Sequence, residues 1–183
     1  SYAIERFEEL LGRPGAVDVP VRANALVTLV LMRRIAGFPA ARTADLAREA
    51  RHLIDGIEDE AIRDRLELRY FESAFDVDDP QVPDRIRGII DRTRARGEAV
   101  DTLAPHLLTA WYIANDPVAA SALAAEFSST IHTPVLARQA HAWEQCGLAA
   151  LATGDLERAR QFLEGALERF EAVGQRFCSV HGC

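Results

Sequence analysis

Apolar residues recur along almost the whole chain at spacings of three and four, and nowhere do they alternate with polar ones long enough to make a convincing strand. In the stretch PVRANALVTLVLMRRIAG, Val21, Ala25, Leu26, Leu29, Met32 and Ile35 form the stripe of a buried helix face. Pro20 suits the first turn of that helix and Gly37 its end. A second stripe, Leu46, Ala47, Ala50, Leu53 and Ile54, predicts a helix over roughly 41–55 that closes near Gly56. The same rhythm predicts helices at 2–11, 58–75, 83–96, 99–114, 117–130, 134–152 and 156–173. Between them lie short connections rich in helix breakers, GRPG at 12–15, DVDDPQVPD at 76–84, ARG at 95–97, NDP at 115–117, HTP at 132–134 and TGD at 153–155. Loops this short force consecutive helices to run antiparallel, so the pattern predicts a series of helical hairpins.

The hairpins repeat. Asp116 and Asp155 each follow a turn residue and open a helix, which gives a spacing of 155 − 116 = 39 residues. That offset pairs Ala120 with Ala159, Leu107 with Cys146 and Trp111 with Ala150. Stepping back by the same distance reaches residue 77, in the DVDDP loop, and then residue 38, just after Gly37. The expected organisation is a single domain over 1–183 with repeats at about 20–56, 58–97, 99–132 and 134–174. The first fifteen residues read as the second helix of an incomplete unit, and 175–183 as the start of a further one.

Within 140–170, AHAWEQCGLAALATGDLERARQFLEGALERF, the residues Trp143, Cys146, Gly147, Gly154, Asp155, Ala159, Leu163 and Ala166 fall in the order of a tetratricopeptide repeat, and the segment resembles one. Gly147 and Ala159 would let two helices approach closely, with Trp143 and Leu163 filling the space around that contact. The longer period, and the absence of a proline ending the second helix, look like the helical-repeat region of large bacterial transcriptional regulators of the LuxR type (maltose-regulator-like) or the antibiotic-regulator type. The resemblance implies an all-α, right-handed α-solenoid of about four hairpins with truncated end repeats. It also implies a non-catalytic segment that binds a protein, a peptide or a small-molecule effector, the nucleotide- and DNA-binding domains lying elsewhere in the polypeptide. The alternatives are a free-standing scaffold or adaptor, or a helical segment of a signalling enzyme such as a nucleotide cyclase.

Composition narrows the partners. A chain of 183 residues with 49% hydrophobic and 27% charged residues belongs to ordinary globular proteins. Its net charge of −7 argues against direct nucleic-acid contact by this segment, because phosphate binding needs a concentrated positive face. Every basic residue is arginine, which fits a GC-rich, bacterial coding bias better than a designed phosphate site. The longest apolar run, ALVTLVLM at 25–32, is far too short to span a bilayer, and SYAIERFEELL carries no signal-peptide pattern, so no membrane partner and a cytoplasmic setting are expected.

No motif carries chemistry. Cys178, His181 and Cys183 have neither the paired spacing nor the four ligands of a structural zinc site. The acidic loop at Asp76, Asp78 and Asp79 meets Pro80 and Gln81 where a calcium loop needs further ligands and a glycine. His141 and Cys146 lie about 140° apart around one helix and cannot act as base and nucleophile. Phosphate-loop and dinucleotide fingerprints are absent. No catalytic residue, cofactor or metal is therefore expected. Binding is expected on the first helix of each hairpin, where the register points Thr102, Thr109, Tyr112, His141, Glu144 and Leu148 into a concave groove. The open repeat ends are candidate homodimer surfaces.

Overall fold

Proline and aspartate set most of the helix starts. The computed structural model describes residues 2–12, 18–74, 78–101, 103–128 and 136–174, and among them the regular elements are nine α-helices and one short 3-10 turn, with consecutive helices paired as antiparallel hairpins. The chain divides into two compact units, residues 1–76 and 77–183. The division falls inside the 58–97 stretch that the period assigns to one hairpin.

The first unit contains α1 (Tyr2–Leu11), α2 (Val19–Ile35), a 3-10 turn (Ala40–Arg42), α3 (Ala44–Asp55) and α4 (Glu60–Ser73). Pro20 sits in the first turn of α2, where its missing N–H costs nothing. Asp59 caps α4, its Oδ1 accepting from Ile62 N at 3.0 Å. Helix α2 packs against α1, α3 and α4. The core joins Ala23, Leu26 and Val27 of α2 to Ala50 and Ile54 of α3 and Leu66 of α4, with Ile57 from the connection between them. Alanines on both α2 and α3 bring those two backbones close, and each buried Leu or Ile contributes roughly 1.5–3 kcal/mol by leaving water. Arg22 ties the layers together at the rim, its Nη2 lying 2.6 Å from Glu49 Oε1 while its Nη1 donates to Leu11 O at 3.0 Å.

Two expectations change here. Val21 and Ile35 are 53% and 78% exposed, while Ala23, Val27 and Val30 take buried places, so the buried face of α2 is turned from the expected stripe. The helix expected from 41 is interrupted after the 3-10 turn, in which Arg42 N donates to Pro39 O, and α3 begins at Ala44.

In the second unit come α5 (Val82–Ala95), α6 (Leu103–Asn115), α7 (Pro117–Ser128), α8 (Leu136–Ala152) and α9 (Leu156–Ala172). Helix α6 is covered by α5, α7 and α8, and α8 by α6, α7 and α9. Trp111 Nε1 on α6 donates to Asp79 O at 3.1 Å, fastening the turn before α5 to the next hairpin. Asp116 Oδ1 accepts from Ala119 N at 3.1 Å and Asp155 Oδ1 from Arg158 N at 3.2 Å, so the two aspartates 39 residues apart cap α7 and α9 in the same way. Their offset partners Ala120 and Ala159, and Leu107 and Cys146, are all buried. Gly154 adopts φ +80°, a conformation that suits glycine and turns the chain from α8 into α9.

Among the described residues no helix is long and apolar enough to cross a membrane.

Candidate partner-binding face

The α8–α9 hairpin is held by an unusually close fit. A Cβ on Gly147 would lie 2.6 Å from Leu163 Cγ and 3.3 Å from Ala159 O, and one on Gly165 would lie 2.5 Å from the Trp143 ring. Glycine is required at both places by space rather than by backbone angle. Trp143 is wedged edge-on to Phe162 at 5.4 Å between ring centres, with the Arg169 guanidinium 3.9 Å from the indole centroid. Towards α7, Cys146 packs with Ala120, Ala124 and Ala149, and its Sγ donates to Ala124 O at 3.4 Å. Burial pushes the Cys146 thiol up to about 11, only partly offset by Arg158, which makes it a core residue rather than a nucleophile at neutral pH.

On the other side of this contact the hairpin carries a polar pair over an aromatic. His141 Nδ1 lies 3.2 Å from Glu144 Oε2, and the imidazole stands edge-on to Phe170 of α9 at 4.8 Å and to His106 of α6 at 6.0 Å. Glu144 is buried. Half-buried Leu148 follows one turn further along α8, and exposed Leu151 begins the hairpin's tip. From α9, Leu156, Leu163 and Leu167 fall within about 40° of one another around the helix. Phe162, Gly165 and Arg169, which meet Trp143, lie about 100–160° from Leu163 around α9, and His141 lies about 160° from Trp143 around α8, so the stripe and the His141–Glu144 pair flank the helix contact on the side away from Trp143. Leu156 and Leu167 are 67% and 43% exposed.

Of the residues expected in a groove, His141, Glu144 and Leu148 are therefore brought onto one surface. Tyr112 is engaged elsewhere: it packs on the Ala120, Ala124 and Cys146 cluster, stands edge-on to Trp111, and accepts a hydrogen bond from Arg87 Nη2. Thr109, only 3% exposed, lies within the helix packing, because α6 has neighbours on three sides. Thr102 lies outside the described residues, as do Asp76, Cys178, His181 and Cys183. Asp79 serves the turn before α5, its Oδ1 accepting from Gln81 N at 2.9 Å. Among the described residues no three His, Cys, Asp or Glu side chains are grouped to hold a metal.

The leucine stripe of α9 was not among the residues expected to bind. Its signal is present in the sequence as the spacing of seven and four between Leu156, Leu163 and Leu167. The tetratricopeptide register hides it, because it uses Leu163 as a packing residue and directs attention to the first helix.

The chain matches no protein-family model, no curated protein and no solved structure.

Proposed function

We propose that the chain is a non-catalytic interaction segment of tetratricopeptide-like helical hairpins that docks a protein or peptide on the exposed face of the α8–α9 hairpin. The observation that carries this reading is the meeting on one surface of buried Glu144 and half-buried His141 with two leucines that α9 leaves in water. Two large leucines left in water on the same face cost the isolated unit free energy, which a partner that covers them recovers. The matched caps at Asp116 and Asp155 and the fit around Gly147 support the repeat character, and with it a solenoid arrangement of hairpins. Through the resemblance in 140–170, the parent proposed is a multidomain bacterial transcriptional regulator, in which binding at this face shifts a conformational balance.

The test is a peptide-display selection on the immobilised 183-residue protein, with clones counter-screened on a His141→Ala/Glu144→Ala/Leu167→Glu variant of unchanged helical circular dichroism. Clones that bind the parent and lose the variant are expected. An empty selection, or clones indifferent to the substitutions, overturns the reading.

A further inference from the structure

The charges around the leucine stripe are sorted by side. Of the three arginines on α9, Arg158 lies over the Phe162 ring and Arg169 over Trp143, with Arg169 Nη1 donating to Gly165 O at 2.7 Å; both are thus drawn away from the stripe. The third, Arg160, borders the stripe but is taken up by Glu157 at 2.7 Å and Glu164 at 3.4 Å. Glu168 and Glu171 lie beyond it, both exposed and with no ion-pair partner among the described residues. On α8, Glu144 has His141 as its one ion-pair partner among the described residues, and that partner is charged only when protonated. Among the described residues the stripe is therefore bordered along α9 by carboxylates, with no uncommitted arginine beside it.

Resting on the reading of this face as a docking surface, we infer that its occupant is an amphipathic helix of a partner protein bearing Lys or Arg along the edges of its apolar stripe. Leu156 to Leu167 spans eleven residues, about 16 Å, or three helical turns, which suits a helix laid along the hairpin with apolar anchors at i, i+4, i+7 and i+11. The acidic rim disfavours a second copy of α9, which would bring Glu164, Glu168 and Glu171 against their own kind, and it disfavours an acidic peptide for the same reason.

The experiment uses two synthetic, end-capped amphipathic peptides with the same leucine stripe, one flanked by Arg and one by Glu, titrated onto the full 183-residue chain by fluorescence anisotropy. The Arg peptide is expected to bind at least about tenfold tighter than the Glu peptide at low salt, with the gap closing at about 0.5 M salt. Leu167→Glu should lose binding of both. Glu168→Arg/Glu171→Arg, which leaves the Arg160 pairs intact, should weaken the Arg peptide several-fold and strengthen the Glu peptide. Equal binding of the two, or preference for the Glu peptide, overturns the charge assignment while leaving the docking face in place. Light scattering that shows a dimer dissolved by Leu167→Glu overturns it in favour of a second copy. Binding of neither peptide, with an empty display selection, overturns the docking face itself.

Discussion

Gly165 and Trp143 fit together with no room for one methyl group: a Cβ on the glycine would lie 2.5 Å from Cε3 and Cζ3 of the indole. The ring cannot swing aside cheaply, since Phe162 and Arg169 hold its edge and face. Alanine gains about 1 kcal/mol over glycine within a helix, but overpacking a rigid contact costs about 1–3 kcal/mol. Gly165→Ala should therefore lower stability by up to about 2 kcal/mol in urea denaturation. Gly88→Ala in α5 is the control, because its Cβ would meet only the mobile end of Arg92 at 3.2 Å. That variant should gain up to about 1 kcal/mol. Equal effects from the two would show that the ring contact is not limiting.

Cys146 should resist alkylation in the folded protein at pH 8, with peptide mapping reading the site, and react once the chain is unfolded. With the thiol raised to about 11, only about one molecule in a thousand carries the thiolate at that pH. The stability sign follows from the same shift. The folded state prefers the neutral thiol, so its contribution is complete below the ordinary thiol value of 9.0 and is lost as pH rises towards 11. The thermal midpoint of the parent protein should fall more steeply over that window than that of Cys146→Ala.

In the first unit, Arg51 lies 2.6 Å from Asp55 and 3.1 Å from Glu67, with its guanidinium over Tyr70 at 5.8 Å. The Glu67 side chain is only 9% exposed, so removing Arg51 withdraws a cation from a carboxylate that water barely reaches. Arg51→Ala should cost about 2–3 kcal/mol in denaturant unfolding, with part of the loss recovered by adding Glu67→Gln. Arg48→Ala, which breaks an exposed pair with Asp45, should stay within about 0.5 kcal/mol. A small Arg51 effect would mean that the remaining contacts of Glu67 suffice.

The helices were legible because the signals that start them are local. Pro20 fixes its own backbone angle, and Asp116 and Asp155 act on backbone groups three residues away, so their effect survives whatever the rest of the chain does. The contact between Gly147, Ala159 and Leu163 was legible for a related reason: only small residues permit that approach. What failed to show was anything decided by a third helix. Thr109 and Tyr112 share a helix register with groove positions, yet α6 is covered on several sides, so one is buried and the other is turned to Arg87 and the α7–α8 core. Val21 and Ile35 continue the stripe of α2 in sequence and yet are exposed, because Ala23, Val27 and Val30 take part of the face that packs. The bond from Trp111 to Asp79 joins residues 32 apart and has no trace in periodicity. Neither does the division of the chain inside a stretch that a constant period treats as one hairpin.

Both tryptophans of the chain, Trp111 and Trp143, lie in α6 and α8, so the second unit carries an intrinsic optical label and the first carries none. Indole emission therefore follows the melting of one unit, while the amide signal follows both. Coincident curves would reveal one cooperative transition, and separated curves two independent ones, without a label, a mutation or a cut in the chain.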